Sequence, residues 1–531
     1  MKMPYNYNFV FGDKNVQVPA HLNFGQFMLE HIRQWNDQIA IENADTGEKL
    51  SYKEIAQYVV NLSASLTSLG VGRGDTVALG SEKHNEFVQT LLAIVLTGAT
   101  YTPYDLKVGK ASLKHKLSVV KPKYFIYSNK FWLTYSDVLK SFDCIQTYFT
   151  LEDNSEGVVS IKSLASKYVD VDLFEPTPVQ GQIDTAAVLY SSGTTGMPKG
   201  VQLTHLNCIL SSLPSNFSYE SLQTVFIFGE WYHNYDTFMT YKFLTKGKKI
   251  VYLDNPNPTA ILKTIELMKV NIGFVVPSFV HYISKNDEVK NHNLDSLKII
   301  YSRASPLHIK TMEKVKERLP KLNYIIQGYG MTEAGELSSE CWGDKGTKLG
   351  SVGKATPGII LKVVDPETRQ VLGANRRGEI CLKGPVFMKG YIGVDPSIYL
   401  DEEGFFKTGD LGYYDEDKYF YIVDRLKEII SYKGDQVPPT ELETVLLLHP
   451  AVKEAGVVGK PHPEDDELPT AFIVKRPGFN VTEQELIDFV VTEVPPYMEL
   501  KGGIRFINEL PRNPRGKILR RTLRDMLLKE Q

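Results

Sequence analysis

Short apolar runs alternate with amphipathic helical stripes along most of this chain, and that alternation favours α/β units built on a largely parallel sheet. Residues 51–69 show the helical half of the unit. Ser51 and Glu54 have the spacing of a capping box, Ile55, Val59, Leu62 and Leu66 form one stripe, and Gly70 stands where the helix must stop. A run at Thr76–Leu79 follows, then a helix over Glu86–Leu96, then Tyr101-Thr102-Pro103. Further strand-like runs are AAVLY (186–190), IVYL (250–253), IGFVV (272–276), LKII (297–300) and NYII (323–326). There is no internal repeat and no low-complexity tract.

With 531 residues the chain exceeds one ordinary core, so two or more domains are expected. The texture changes after about residue 425. A strand pair is expected around Lys433-Gly434, a helix at 440–448 opened by Thr440 and Glu443 as a capping box, strands near 453–458 and 469–475, and a helix at 483–491. Residues 426–531 suffice for a small α+β domain beside a large domain over 1–425. No Pro/Gly linker separates them, so the joint near Asp424–Lys427 reads as a hinge rather than a tether.

A formal net charge of −3 gives no case for nucleic acid as a partner. No apolar stretch reaches the ~18 residues of a membrane span, and the first residues lack a secretory core. Cys144, Cys208, Cys341 and Cys381 are far apart and match neither a metal spacing nor a disulfide framework. The chain ends in KEQ rather than a peroxisomal Ser-Lys-Leu. The expectation is a reducing, cytoplasmic setting and a monomer.

The segment with the most chemistry is Tyr190-Ser191-Ser192-Gly193-Thr194-Thr195-Gly196-Met197-Pro198-Lys199-Gly200, which follows the AAVLY strand. Glycines let a backbone approach oxyanions, hydroxyls add donors, and Lys199 adds charge. Pro198 and Gly200 forbid a helix through Lys199. The spacing is not that of P-loop NTPases. Four further segments carry candidate groups: Gln327-Gly328-Tyr329-Gly330-Met331-Thr332-Glu333, Thr408-Gly409-Asp410, Arg512-Asn513-Pro514-Arg515-Gly516-Lys517-Ile518, and Trp231-Tyr232-His233-Asn234-Tyr235 before a helix.

Together and in this order these segments resemble the signature blocks of the adenylate-forming superfamily: acyl-CoA synthetases, hydroxycinnamate–CoA ligases, peptide-synthetase adenylation domains and insect luciferases. The resemblance runs from about residue 20 to the end. VDRLKEIISYKGDQVPPTELE (423–443) and GVQLTH (200–205) look most like the insect luciferase and luciferase-like acyl-CoA ligase branch. The resemblance implies that ATP is held by Ser191, Ser192, Gly193, Thr194, Thr195, Gly196 and Lys199 at its phosphates. Tyr329 would stack on adenine, with Ala304, Gln327, Gly328 and Gly330 around it. Thr332 would contact phosphate, Glu333 would hold Mg²⁺, a cation that prefers hard oxygen ligands, and Asp410 and Arg425 would take the ribose. Lys517 would reach across the domain interface to the α-phosphate and the attacking carboxylate. His233, Tyr235, Arg303 and Gly330 would line the acid pocket, with Met239, Glu336 and Leu337 beside them. Lys427 matches the hinge about which the small lid domain rotates, and Lys433-Gly434 match the pair that contacts coenzyme A in hydroxycinnamate–CoA ligases.

The activity implied is activation of a carboxylic acid by ATP to an acyl-adenylate with release of pyrophosphate, followed by transfer to coenzyme A. The alternative is a luciferase whose adenylate reacts with O₂ to emit light. A third reading is a non-catalytic paralog, which Lys517 and Glu333 disfavour. A peptide-synthetase adenylation domain is disfavoured because neither His233 nor Tyr235 is acidic.

Three positions depart from the pattern. Ser431 stands where beetle luciferases carry lysine. Ser211 stands where they place an arginine at the luciferin pocket, so any luciferin would differ from the beetle one. In Ser302-Arg303-Ala304-Ser305-Pro306-Leu307, Arg303 replaces a small residue. It could meet a substrate anion, pair with Glu336 or point away, and the sequence leaves all three open.

Overall fold

The computed structural model describes residues 8–13, 17–152, 157–191, 197–213, 221–303, 307, 309–340, 348–433, 435–512 and 517–529. Its framework is two large, mostly parallel sheets, as the alternating pattern demands. In the eight-stranded sheet, Thr185–Ser191, Thr100–Tyr104, Thr76–Gly80, Tyr124–Tyr127, Thr147–Thr150 and Val159–Ser160 follow the order of parallel pairing. Lys199–Thr204 returns antiparallel to Thr185–Ser191 and carries Gly390–Tyr391 on its outer edge. Lys199 therefore opens a strand, consistent with the ban that Pro198 places on a helix there.

In the nine-stranded sheet the strands from Tyr324–Met331 through Ile299–Ser302, Ile272–Val275, Thr224–Ile227 and Lys249–Tyr252 to Ile39–Asn43 are parallel. The helix Tyr52–Ser68 opens with the expected Ser51–Glu54 capping box and ends before Gly70, whose φ of +88° only glycine adopts easily. The helix Glu86–Leu96 is buried on nearly every face and joins the two sheets' shared apolar core, with Trp231, Tyr241 and Tyr252 fully enclosed.

A third sheet in the large domain is antiparallel and was not foreseen. It contains Val10–Phe11, Ile360–Val364, Gly378–Lys383, Phe406–Tyr414 and Phe420–Arg425, with Val371–Leu372 on its flank. Between Ile360 and Arg425 no helical stripe separates the strands, so they pair antiparallel without helical crossovers, while Val10–Phe11 joins the edge from the far end of the chain.

The small domain has its own five-stranded sheet and its own apolar core. Ile430–Tyr432 and Asp435–Val437 form the expected pair around Lys433-Gly434, and Val452–His462 with Asp466–Lys475 form a long hairpin. The helix Glu483–Val491 falls where expected and is opened by a Thr482–Glu485 capping box. The expected capping box at Thr440 and Glu443 is a correction. The helix Pro439–Leu446 has no side-chain cap, because tertiary partners take both residues. The Thr440 N–H donates to Asp424 at 2.8 Å, while Glu443 accepts from the Val457 N–H and from Arg520, each at 2.8 Å. Pro439 in the first turn supplies the helical φ that a cap would otherwise support.

Cys144, Cys208 and Cys381 are free thiols, and Cys341 lies outside the described residues. Among the described residues no helix is long and apolar enough to cross a membrane.

One buried histidine gives a stability prediction. His205 Nδ1 accepts the Phe24 N–H at 3.0 Å, tying the helices Phe24–Ile32 and His205–Ser212 together. Burial lowers its pKa to about 4, partly offset by Asp184. The neutral ring is the folded form, so its contribution is fully present above the unfolded value near 6.5 and is lost as pH falls toward 4. Protonation should cost about 2 kcal/mol by pH 5 relative to pH 7. Calorimetry of the wild type and His205→Gln checks this, since the variant should lose less stability over that interval.

Candidate active site

Thr185–Ser191 leads the chain out of the eight-stranded sheet toward the glycine-rich segment, and Lys199–Thr204 leads it back. Ser191 is buried at this edge; Ser192, Gly193, Thr194, Thr195 and Gly196 lie outside the described residues. The Lys199 Nζ sits 4.9 Å from the ring centre of Tyr391, which the Gly390–Tyr391 edge strand holds opposite Val201. The Tyr391 hydroxyl donates to Glu333 Oε1 at 2.6 Å. Burial, then the adjoining carboxylate, pushes the Tyr391 phenol well above its ordinary pKa, and Ser191 acts on the same hydroxyl. Ser191, Lys199, Tyr391 and Glu333 therefore form one corner. Tyr391 was not among the candidates. Its only sequence signal is a Gly-Tyr pair at 390–391, indistinguishable from an ordinary strand end.

A second corner comes from the antiparallel sheet. Register places Asp410 directly opposite Arg425, with the Arg425 Nε 3.3 Å from Asp410 Oδ1. Thr408 accepts the Asp410 N–H at 3.0 Å, and the Gly409 φ of +70° makes the turn that presents the carboxylate. From the neighbouring sheet the Tyr329 hydroxyl donates to Asp410 Oδ2 at 2.7 Å. Burial raises the Asp410 pKa against the opposing pull of Arg425, the Tyr329 hydrogen bond and the Lys517 ammonium, while Glu333 adds repulsion. Asp410 thus feels groups from both corners and from the small domain. Lys517 is steadied by the bridge between Arg512 and Ile518, and Arg512 is anchored on Glu454 at 2.6 Å.

The third corner is the start of the helix Asn234–Leu244. His233 is its N-cap residue, and its carbonyl accepts the Thr237 N–H. Asn234 donates to the Thr332 carbonyl at 2.7 Å, so the first turn of this helix is tied to the segment carrying Thr332. Behind them the Arg303 guanidinium lies 3.9 Å from the ring centre of Tyr235 and 2.5 Å from Glu336 Oε1. Arg303 thus pairs with Glu336 and does not point away, which leaves open whether it also meets a substrate anion. Lys242 approaches the other Glu336 oxygen at 3.0 Å, and Tyr301 donates to the carboxylate at 2.6 Å. Burial opposes ionisation of Glu336, but these partners hold its carboxyl far below the usual range. Met239 and Leu337 are buried alongside.

Gln327 is buried, and its Oε1 accepts the Leu307 N–H at 2.6 Å; Ala304 lies outside the described residues. The two glycines are needed for space. A Cβ on Gly328 would stand 2.8 Å from Arg303 Nη2, and one on Gly330 2.3 Å from the Gly335 carbonyl oxygen.

Lys427 sits in the short turn Leu426–Glu428 between the domains, its Nζ 3.8 Å from Glu428, and burial lowers its pKa. Lys433 is not brought to this cluster: its ammonium is 3.3 Å from Asp465, and its φ of +52° forms the tip of the small-domain hairpin. Gly434 lies outside the described residues. Ser431 donates its N–H to Glu467 at 3.1 Å.

Two mostly parallel sheets and an antiparallel third in a large N-terminal domain, followed by a smaller C-terminal domain, match the fold of adenylate-forming enzymes. The AMP-binding enzyme family model matches residues 28–392, and the model of the AMP-binding enzyme C-terminal domain matches 441–517. The chain belongs to this family of adenylate-forming acyl-CoA ligases and luciferases. It is 35% identical to a luciferin 4-monooxygenase of Luciola mingrelica over the whole of both chains. It is 33% identical to a probable 4-coumarate–CoA ligase 1 of Dictyostelium discoideum, with 94% of each chain covered. Among solved structures, ATP-bound MatB from Rhodopseudomonas palustris superposes with a TM-score of 0.81 at 26% identity, covering 95% of this chain and 99% of that one.

Proposed function

We propose that this enzyme joins a carboxylic acid to AMP, releasing pyrophosphate, and then passes the acyl group to coenzyme A. The supporting observation is the contact of Tyr329 and Arg425 with Asp410 in the large domain, on which the charge of Lys517 from the small domain also acts. A carboxylate is a poor acylating agent because its leaving group would be oxide. Its oxygen attacks the α-phosphorus of ATP, the bond to the β-phosphate bridging oxygen breaks, and pyrophosphate leaves. Both reactants are anionic, so the barrier is largely charge repulsion and orientation.

In this reading Asp410 accepts from the ribose hydroxyls, held in place by Tyr329 and flanked by Arg425. Tyr329 offers its face to adenine, flanked by Gly328 and Gly330, whose lack of a Cβ lets Arg303 and the Gly335 carbonyl pack close. Ser191, Lys199, Thr332 and the segment Ser192–Gly196 take the phosphates. Glu333 suits Mg²⁺: it is a buried hard-oxygen donor fixed by the Tyr391 hydroxyl beside the phosphate segment. Bound magnesium supplies neutralisation of phosphate charge. Lys517 adds positive charge where the acid and the α-phosphate meet, and His233 borders the acid.

For the second step the coenzyme A thiol attacks the acyl carbon, AMP leaves and the thiol proton is released. Rotation of residues 426–531 about Lys427 would withdraw Lys517 and present Lys433-Gly434. Element-terminal turns such as Leu426–Glu428 can absorb that change.

Similarity to a luciferin 4-monooxygenase over the full chain supports a second reading, in which the adenylate reacts with O₂ and emits light. One assay separates the two: purified protein, ATP, Mg²⁺, coenzyme A and a panel of fatty, aromatic and heteroaromatic acids, with pyrophosphate, thioester and light recorded together. The ligase reading expects thioester in step with pyrophosphate. Light with no thioester from any acid would refute it in favour of the second reading.

A further inference from the structure

Beneath the start of the helix Asn234–Leu244, two buried cations face one carboxylate. Lys242 and Arg303 both pair with Glu336, at 3.0 and 2.5 Å, and the side chains of all three are nearly enclosed. The other acid that acts on Arg303 is Asp236. Burial favours its neutral form, and its strongest cationic partner is Lys83 rather than Arg303. Lys83 itself is buried, donating to the Ile227 and Gly229 carbonyls. Lys83 is balanced by Glu230, Asp236 and Asp254, but at Glu336 two cations share one carboxylate in a low-dielectric place, an arrangement that suits a further acceptor.

Two donors in the same group lack partners among the described residues. The Arg303 Nε–H and the Tyr235 hydroxyl are both buried and accept or donate no hydrogen bond. Arg303 stacks on the Tyr235 ring, so these unpaired donors belong to one unit. That unit is not sealed off: the Arg303 side chain keeps 12% of its surface exposed and lies beside exposed Gly330. A ligand resting on Gly330 would meet the guanidinium edge. Buried donors left unpaired are costly, and a site built around them rejects ligands that cannot satisfy them.

We propose that Arg303 and Tyr235 select an acid carrying a second oxygen, anionic or hydrogen-bond-accepting, remote from the carboxylate that is activated. This rests on the adenylation reading above and adds the class of substrate to it. The guanidinium supplies the charge, its pairing with Glu336 and stacking on Tyr235 fix its orientation, and Lys242 keeps Glu336 from neutralising it fully.

The test compares size-matched pairs of acids: a hydroxy- or carboxy-substituted aromatic acid against its methyl analogue, and an aliphatic dicarboxylic acid against the monocarboxylic acid of equal length. Pyrophosphate release gives kcat/KM for each. The oxygen-bearing member of at least one pair should be favoured by roughly 10²-fold, the scale of a charge-assisted hydrogen bond. Arg303→Met should erase that ratio, raising KM for the oxygen-bearing acid more than it changes KM for ATP. Tyr235→Phe keeps the ring and should reduce the ratio by about tenfold; it guards against a variant that fails to fold. Equal or better use of the apolar member of every pair by the wild type would overturn the inference while adenylation stands. No pyrophosphate release with any acid would overturn both.

Discussion

Lys517→Ala should lower the rate of acyl-adenylate formation by about 10²–10³, while the apparent KM for ATP moves far less. The asymmetry follows from where the nucleotide contacts lie. Asp410, Arg425, Tyr329, Lys199 and Glu333 all belong to the large domain and are fixed by one another, so ground-state binding of ATP survives loss of the lysine. Lys517 comes from the small domain and acts on the cluster through its charge. Its value is greatest when the carboxylate approaches the α-phosphate and two negative groups share one space. A contact that strengthens only then lowers kcat and kcat/KM together. Single-turnover formation of the adenylate, beside an ATP titration, measures both quantities. Transfer to coenzyme A from supplied acyl-adenylate should persist in the variant. Equal losses at both steps, or none, would contradict the role.

Glu333→Gln should cost a comparable ~10²–10³ in adenylation and move half-saturation by Mg²⁺ to higher concentration. Glutamine keeps an oxygen that can accept from the Tyr391 hydroxyl, so the local packing is retained and the charge alone is removed. Glu333 is only 7% exposed, which limits replacement of that charge by solvent. A variant of unchanged activity and unchanged Mg²⁺ dependence would remove Glu333 from the phosphate corner. Excess Mg²⁺ should restore part of the activity, which general destabilisation would not allow.

Much of the fold could be read from local rules because local rules decided it. The Ser51–Glu54 box and Gly70 bound a helix whose stripe joins the large apolar core, chiefly against the helices Glu86–Leu96 and Ile161–Ala165. Thr440 and Glu443 show the opposite case. They have the same spacing, but Asp424, Val457 and Arg520 lie close in space and take their hydrogen bonds. A capping pattern cannot reveal which tertiary partner will outbid it. The antiparallel third sheet escaped for a related reason: short strands without intervening helices leave pairing to turns and distant register, which place Asp410 opposite Arg425.

The candidate site was legible where a motif carries several chemical groups at once, as in Gln327–Glu333. It was not legible where a residue's meaning depends on one neighbour far along the chain. Tyr391 matters because an edge strand sets it beside Glu333, and Arg303 because Glu336 and Tyr235 flank it in space. Lys517 lies in a basic tail where a lysine is ordinarily just solvated. Its action on Asp410, across 107 residues of chain by number, arises only from how the small domain sits.

Reversible transfer of AMP to a carboxylate entails exchange of labelled pyrophosphate into ATP. That exchange should require an acid from the panel and Mg²⁺ and proceed without coenzyme A or oxygen. Failure of every acid to support exchange by folded, ATP-binding protein would contradict it.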